Sequence, residues 1–252
     1  MSKTRKRAIT LFVIATMILS ILSAFIAVPV MAATITVDDS GGADHTTIQA
    51  AINAATSGDT ITVAEGDYTE NVLVNNSVIL EGEDKATVIV TAVSALSVFR
   101  VTENDVEISG FTATGATGSN IAGIYLDGVT GCTISDNVLW GNYDGIHLSA
   151  GSDTNTFELN DVSGNKQGFQ IIESDHNTFT ENIANDNTKY GFLVASGSDN
   201  TFIDNEACHN TRHGFYLPDR GGPGNHRNTF LGNIANDNLE YGLRLHGGTG
   251  NT

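Results

Sequence analysis

Residues 177–199 read NTFTENIANDNTKYGFLVASGSD, and Asn200-Thr201-Phe202 then starts the phrase again. Its polar middle returns as GNIANDNLEYGL at 232–243, close to ENIANDNTKYGF at 181–192. Glycines that lead an apolar pair (Gly123, Gly145, Gly168, Gly191, Gly214 and Gly242) follow one another at intervals of 22, 23, 23, 23 and 28 residues. Three sets of asparagines keep the same ruler. One is Asn155, Asn177, Asn200, Asn228 and Asn251, each followed by Thr; the others are Asn137, Asn160, Asn182, Asn205, Asn233 and Asn142, Asn165, Asn187, Asn210, Asn238. Four columns with one period mark a repeat architecture.

Within a unit, short apolar stretches alternate at period two, which means strands, and Asn/Gly/Asp/Ser clusters between them mean tight turns. A unit of about 23 residues cannot bury its own apolar face, but stacked copies can. The inward residues should form columns: Ile124, Ile146, Phe169, Phe192, Phe215, Leu243 and Ile134, Phe157, Phe179, Phe202, Phe230. Strands of successive coils then pair in parallel, about 4.8 Å apart. The expected fold is all-β, a single-stranded parallel β-helix of about 22–23 residues per coil. The Asn137 and Asn142 columns are read as structural ladders. Asn and Gly tolerate left-handed turn conformations, and stacked amides can bond one another and the turn backbone.

The N-terminal part is different. TTIQAAINAATSGD, residues 46–59, places Ile48, Ala51, Ile52 and Ala55 on one helical face. Thr46-x-x-Gln49 reads as a capping box and Gly58 as a helix stop. A helix near 47–56, in a cap spanning 33–58, would cover the open end of the stack. Coils then fill 59–252, regular from about 121, and the last is incomplete; its open edge could pair with another chain.

Residues 1–32 hold Lys3, Arg5, Lys6 and Arg7, an apolar run from Ala8 to Val30, and Val30-Met31-Ala32. This is the pattern of a secretory signal peptide, or of an uncleaved anchor, since the run is long enough to span a bilayer. The protein is therefore expected to be exported, secreted or held at the cell surface. The chain carries 12 Lys and Arg against 29 Asp and Glu; beyond residue 32 eight basic residues remain, a net charge of −21. Such a surface repels nucleic acid and anionic lipid, so neither a nucleic-acid partner nor membrane contact beyond the N-terminal segment is expected. Cys132 and Cys208 stand three coils apart, roughly 14 Å at strand spacing, too far for a disulfide. Cys132 takes the place of a turn asparagine in the Asn155 column. Asn75-Asn76-Ser77 is an N-glycosylation sequon.

TTIQAAINAATSGDTITVAEGDYTENVLV, residues 46–74, resembles the N-terminal capping segment of right-handed parallel β-helix proteins of the pectin-lyase-like superfamily. The later coils resemble the NosD-like and carbohydrate-binding/sugar-hydrolysis branch, common in microbial cell-surface proteins. The resemblance implies right-handedness and an outer face that meets polysaccharide. It leaves the chemistry open, because this fold hosts lyases, hydrolases, epimerases, adhesins and non-catalytic modules.

One outward face gathers Tyr143, His147, Lys166, Gln170, Lys189, Tyr190, Arg212, His213, Tyr216, Tyr241 and Arg244. Rings to stack on sugars and cations or amides to hold hydroxyls and carboxylates suit a carbohydrate-binding site for a polysaccharide or cell-surface glycan. The leading expectation is an exported module that binds carbohydrate or builds surface structure without catalysis. The rival is a polysaccharide lyase or glycoside hydrolase, for which Glu181 and Asp204, one coil apart, are the candidate catalytic carboxylates. Asp153, Asp175 and Asp199, in the turns before Asn-Thr, are candidate Ca²⁺ ligands. A copper-handling accessory role, which some NosD-like proteins suggest, finds only scattered histidines (His147, His209, His213, His246) and no soft-metal spacing.

Overall fold

The computed structural model describes residues 31–219 and 224–252. Residues 1–30, which make up most of the expected signal or anchor segment, and Arg220–Pro223 of the long loop lie outside the described residues. No helix among the described residues is long and apolar enough to cross a membrane.

The chain from Ala32 onward winds as a parallel β-solenoid of about eight turns. Among the described residues the strands form three sheets, of nine, eight and four strands, and every strand pair is parallel. Registers follow the sequence columns. Ile134 pairs with Phe157, Phe157 with Phe179, Phe179 with Phe202 and Phe202 with Phe230 in the nine-stranded sheet. Ile124, Ile146, Phe169, Phe192, Phe215 and Leu243 follow one another in the eight-stranded sheet. The four-stranded sheet ends at Val138–Trp140, after which single bridges continue that side from Asp161 to Ile234.

Stacking puts like on like in the core. Phe157, Phe179, Phe202 and Phe230 form one offset pile, 4.8 Å between centroids at each step. Phe169, Phe192 and Phe215 form a second at 4.7 Å, and rings of one pile meet rings of the other edge-on. The strand-leading glycines are there for space. A Cβ at Gly191 would lie 2.7 Å from the Gly214 carbonyl oxygen and 2.8 Å from the Ala207 Cβ.

The asparagine ladders are present, with one correction to their cause. Left-handed backbone belongs to the residue before each ladder asparagine: Asp136, Leu159, Glu181 and Asp204, with φ between 52° and 56°, then Gly232 at 68°. That residue turns the corner so that the asparagine behind it points inward, where its side-chain oxygen accepts from the backbone N–H of the asparagine one coil earlier. Asn160 N to Asn182 Oδ1 is 3.1 Å, and Asn182 N to Asn205 Oδ1 is 2.9 Å. A second ladder runs Asn142, Asn165, Asn187, Asn210, Asn238. A third, read in the sequence only as a spacing mark, runs Asn155, Asn177, Asn200, Asn228, Asn251.

Cys132 heads that third ladder, its N–H donating to Asn155 Oδ1 at 2.9 Å. Both cysteines are free and buried. Burial pushes the Cys132 thiol up to about 11. Because only the thiolate attacks electrophiles, Cys132 should stay unlabelled by iodoacetamide at pH 8 in the folded protein and react once urea unfolds it. Peptide mapping reads this directly; fast labelling in the folded state would contradict it.

Helix α1 (Ile48–Ala54) buries Ile48, Ala51 and Ile52 against strands Thr34–Val37, Thr60–Val63 and Val72–Val74 at the N-terminal end of the stack. Its cap differs from the expected box. Thr47, not Thr46, is the N-cap, with its side chain accepting from Ala50 N. The next free N–H groups, of Ile48 and Gln49, donate to the Glu70 carboxylate at 2.9 and 3.0 Å. An anion suits a helix N-terminus, and this one arrives from the following coil. Gln49 instead bonds Asn53 and Leu73. The helix ends before extended Ala55, so Gly58, left-handed at φ 92°, serves the next turn.

Candidate carbohydrate-binding face

The outer surface of the eight-stranded sheet carries two side-chain columns three residues apart along each strand, on either side of the strand-leading glycine and the inward residue that follows it. One column is Asp144, Gln167, Tyr190, His213, Tyr241. The other runs Leu73, Arg100, Tyr125, His147, Gln170, Leu193, Tyr216, Arg244. Tyr143, Lys166, Lys189, Arg212 and Glu240 each stand immediately before a strand of this face. Five of the six tyrosines lie here, with five of the eight basic residues beyond residue 32. Arg100 and Tyr125, not anticipated from the sequence, extend the face toward the N-terminal end. They join Asn71, Leu73, Leu96 and Ile121 around a largely apolar cavity of about 270 Å³.

The expected face is less open than a solvated surface. His147, Gln170, Tyr190 and His213 are each at most 5% exposed. The first two belong to a polar network. Asp144, fully buried, holds His147 Nδ1 at 3.1 Å through Oδ2, and its Oδ1 accepts from Gln167 Nε2 at 2.7 Å. Gln167 also donates to Gln170 Oε1, and the Gln170 amide nitrogen lies 3.1 Å from His147 Nδ1. Tyr125 packs on the His147 ring at 4.9 Å. Gln167 Oε1 is buried with no hydrogen-bond partner.

The C-terminal half is aromatic and cationic. Tyr190, Tyr216 and Tyr241 surround the His213 ring at 4.8 to 5.5 Å. Arg212 donates to the Tyr190 hydroxyl at 3.1 Å, and Arg244 lies over the rings of Tyr216 and Tyr241 at 5.6 and 5.4 Å. Lys166 sits 4.0 Å from the Tyr143 ring centroid, Lys189 4.8 Å from that of Tyr190. Burial, with Arg244 and Arg212 alongside, holds the His213 pKa below the usual imidazole value; Glu240 opposes the shift.

The other candidates lie in the turns of the coils, outside the strands. Glu181 and Asp204 stand one coil apart in the left-handed corner column, and the Asp204 carboxylate fills the space a Cβ would take at Gly232. Asp153 and Asp175 each accept a backbone N–H from the next coil, of Asp175 and Ser198, both at 2.7 Å. Asp199 takes a two-point contact from Arg227, which holds its carboxyl below the usual range. Among the described residues no group of three His, Cys, Asp or Glu side chains gathers as a metal site.

Residues 122–252 match the family model described as right handed beta helix region. The chain belongs to the right-handed β-helix family. The chain is 44% identical over 97 residues to a cell surface glycoprotein of Methanothermus fervidus; the match covers 37% of this chain and 15% of that protein. The chain thus spans a small part of that relative's length. Among solved structures it is similar to a pectin methylesterase from carrot, with a TM-score of 0.56 and 10% identity over 83% of this chain and 88% of that one. Pectin methylesterase PemA from Erwinia chrysanthemi gives 0.52 and 14% over 87% and 90%. The periplasmic alginate epimerase AlgG gives 0.51 and 14% over 85% and 55%. At these identities the likeness establishes the fold alone.

Proposed function

We propose that this β-helix is a cell-surface module that binds carbohydrate along the outer face of its eight-stranded sheet without breaking bonds. The observation that carries the reading is the segregation of tyrosines and cations onto one face of a strongly acidic chain. Aromatic rings stack on the apolar faces of sugars, and arginines and amides hold hydroxyls and carboxylates. The cell surface glycoprotein relative supports the location, and the carbohydrate enzymes that share the fold make a polysaccharide partner reasonable. Glycan-array binding by the mature chain tests it, run beside reducing-sugar and unsaturated-product assays. Tyr216→Ala with Arg212→Ala should weaken binding by roughly tenfold or more, one such contact being worth about 1–2 kcal/mol. No binding above background by the wild type would end the reading.

The second reading is a polysaccharide-active enzyme. The Asp144–His147 pair favours it, because a buried carboxylate on one imidazole nitrogen orients a proton-transfer group. Turnover abolished by His147→Ala, with the fold intact, would establish that reading over the first.

A further inference from the structure

We infer that Glu240 is a built-in stand-in for the anionic group of the ligand, occupying a carboxylate site made by Arg212, His213 and Arg244. This rests on the carbohydrate-binding reading of the same face. Glu240 Oε1 lies 3.2 Å from Arg212 Nε, while Oε2 lies 3.4 Å from His213 Nε2 and 3.7 Å from Arg244 Nη1. Each carboxylate oxygen therefore meets a different part of the cluster, as a sugar carboxylate bridging the same groups would.

Three features make Glu240 displaceable and the site persistent. The Glu240 main chain is fixed, its N–H donating to Arg212 O at 2.8 Å. Its side chain is 35% exposed and leaves by rotation about its own single bonds. The site does not depend on it: Tyr190 holds Arg212, and Arg244 lies over the rings of Tyr216 and Tyr241. His213 is 1% exposed, and its Nδ1 has no hydrogen-bond partner, so the imidazole is kept in place by ring packing. Glu240 also breaks its column. The three preceding coils place Lys166, Lys189 and Arg212 at that position, and the sign reverses only here.

An internal carboxylate competes with an external one. If it fills the site about nine-tenths of the time, apparent affinity for the anion falls about tenfold. Glu240→Gln keeps the size and removes the charge. Titration of the variant with glucuronate, followed by the His213 ring resonances, should give binding about tenfold tighter than in the wild type, weakened by salt, with glucose unchanged. Arg244→Ala in the Glu240→Gln background should abolish the gain.

Acetate, titrated the same way, reads the anion site without any sugar. A saturable His213 shift at about tenfold lower acetate in the variant than in the wild type supports the inference even if no glycan on the array binds. Equal glucuronate and acetate responses in wild type and variant, both showing native circular dichroism, would overturn it and leave Glu240 as a brace between two arginines. That result would leave neutral-glycan binding on the array, and so the broader reading, untouched.

Discussion

Asn182→Ala is expected to cost about 2–4 kcal/mol of stability, an unusually large loss for removing one small polar side chain. Asn182 is fully buried. Its oxygen accepts from both the backbone N–H and the amide of Asn160, at 3.1 and 3.0 Å. Its amide donates to Phe157 O at 2.9 Å and to Asn205 Oδ1 at 3.0 Å. Alanine leaves these groups facing a small void that offers no substitute, and each buried polar group left unpaired costs about 1–3 kcal/mol. Asn182→Asp should be damaging too, since it keeps the acceptor but removes the donor and buries a charge. Urea unfolding followed by far-ultraviolet circular dichroism reports the loss. A change below about 1 kcal/mol would mean that the ladder is an ornament of the repeat and not its support.

Phe192→Ala should cost about 3–5 kcal/mol. The ring is fully buried between Phe169 and Phe215, with Phe179 and Phe202 meeting it edge-on at 6.1 and 5.7 Å. Truncation loses the transfer energy of the ring and opens a cavity that neighbours fixed at coil spacing cannot close. Phe230→Ala, at a partly buried position with a single stacked neighbour in its pile, should cost clearly less. Equal losses at the two positions, measured by the same unfolding assay, would refute the stacking account.

The Phe, Ile and Asn columns were legible in the sequence because each coil must solve the same packing problem, so identity recurs wherever geometry recurs. The corner conformation was harder to place. Asp136, Leu159, Glu181, Asp204 and Gly232 share a backbone angle but no chemistry, and the conspicuous asparagine beside them drew the explanation. Glu70 as the anion on helix α1 could not be found by a local capping rule, since it comes from the next coil. The face was legible as a set of aromatic and basic residues. Its depth was not: the burial of His147 and His213 depends on how large side chains of neighbouring coils close over one another. Arg100 was missed because it lies in the irregular early coils, where the ruler has not yet settled; Tyr125 stands in the first regular coil at the position of His147 and was readable from that column.

The coil that runs long has a consequence for what the molecule could be made to carry. Thr201 pairs with Thr229 and Phe215 with Leu243, each across 28 residues, yet the register on either side is that of the 23-residue coils. The extra length is absorbed between Leu217 and Asn225, whose amide ties back to Pro218 O at 2.8 Å. One corner of the cross-section thus tolerates a change of contour length that the sheets do not feel. A foreign peptide grafted there would be displayed at a defined height on a rigid post, and the same graft at an equivalent corner of another coil would move it along the axis in steps of about 4.8 Å.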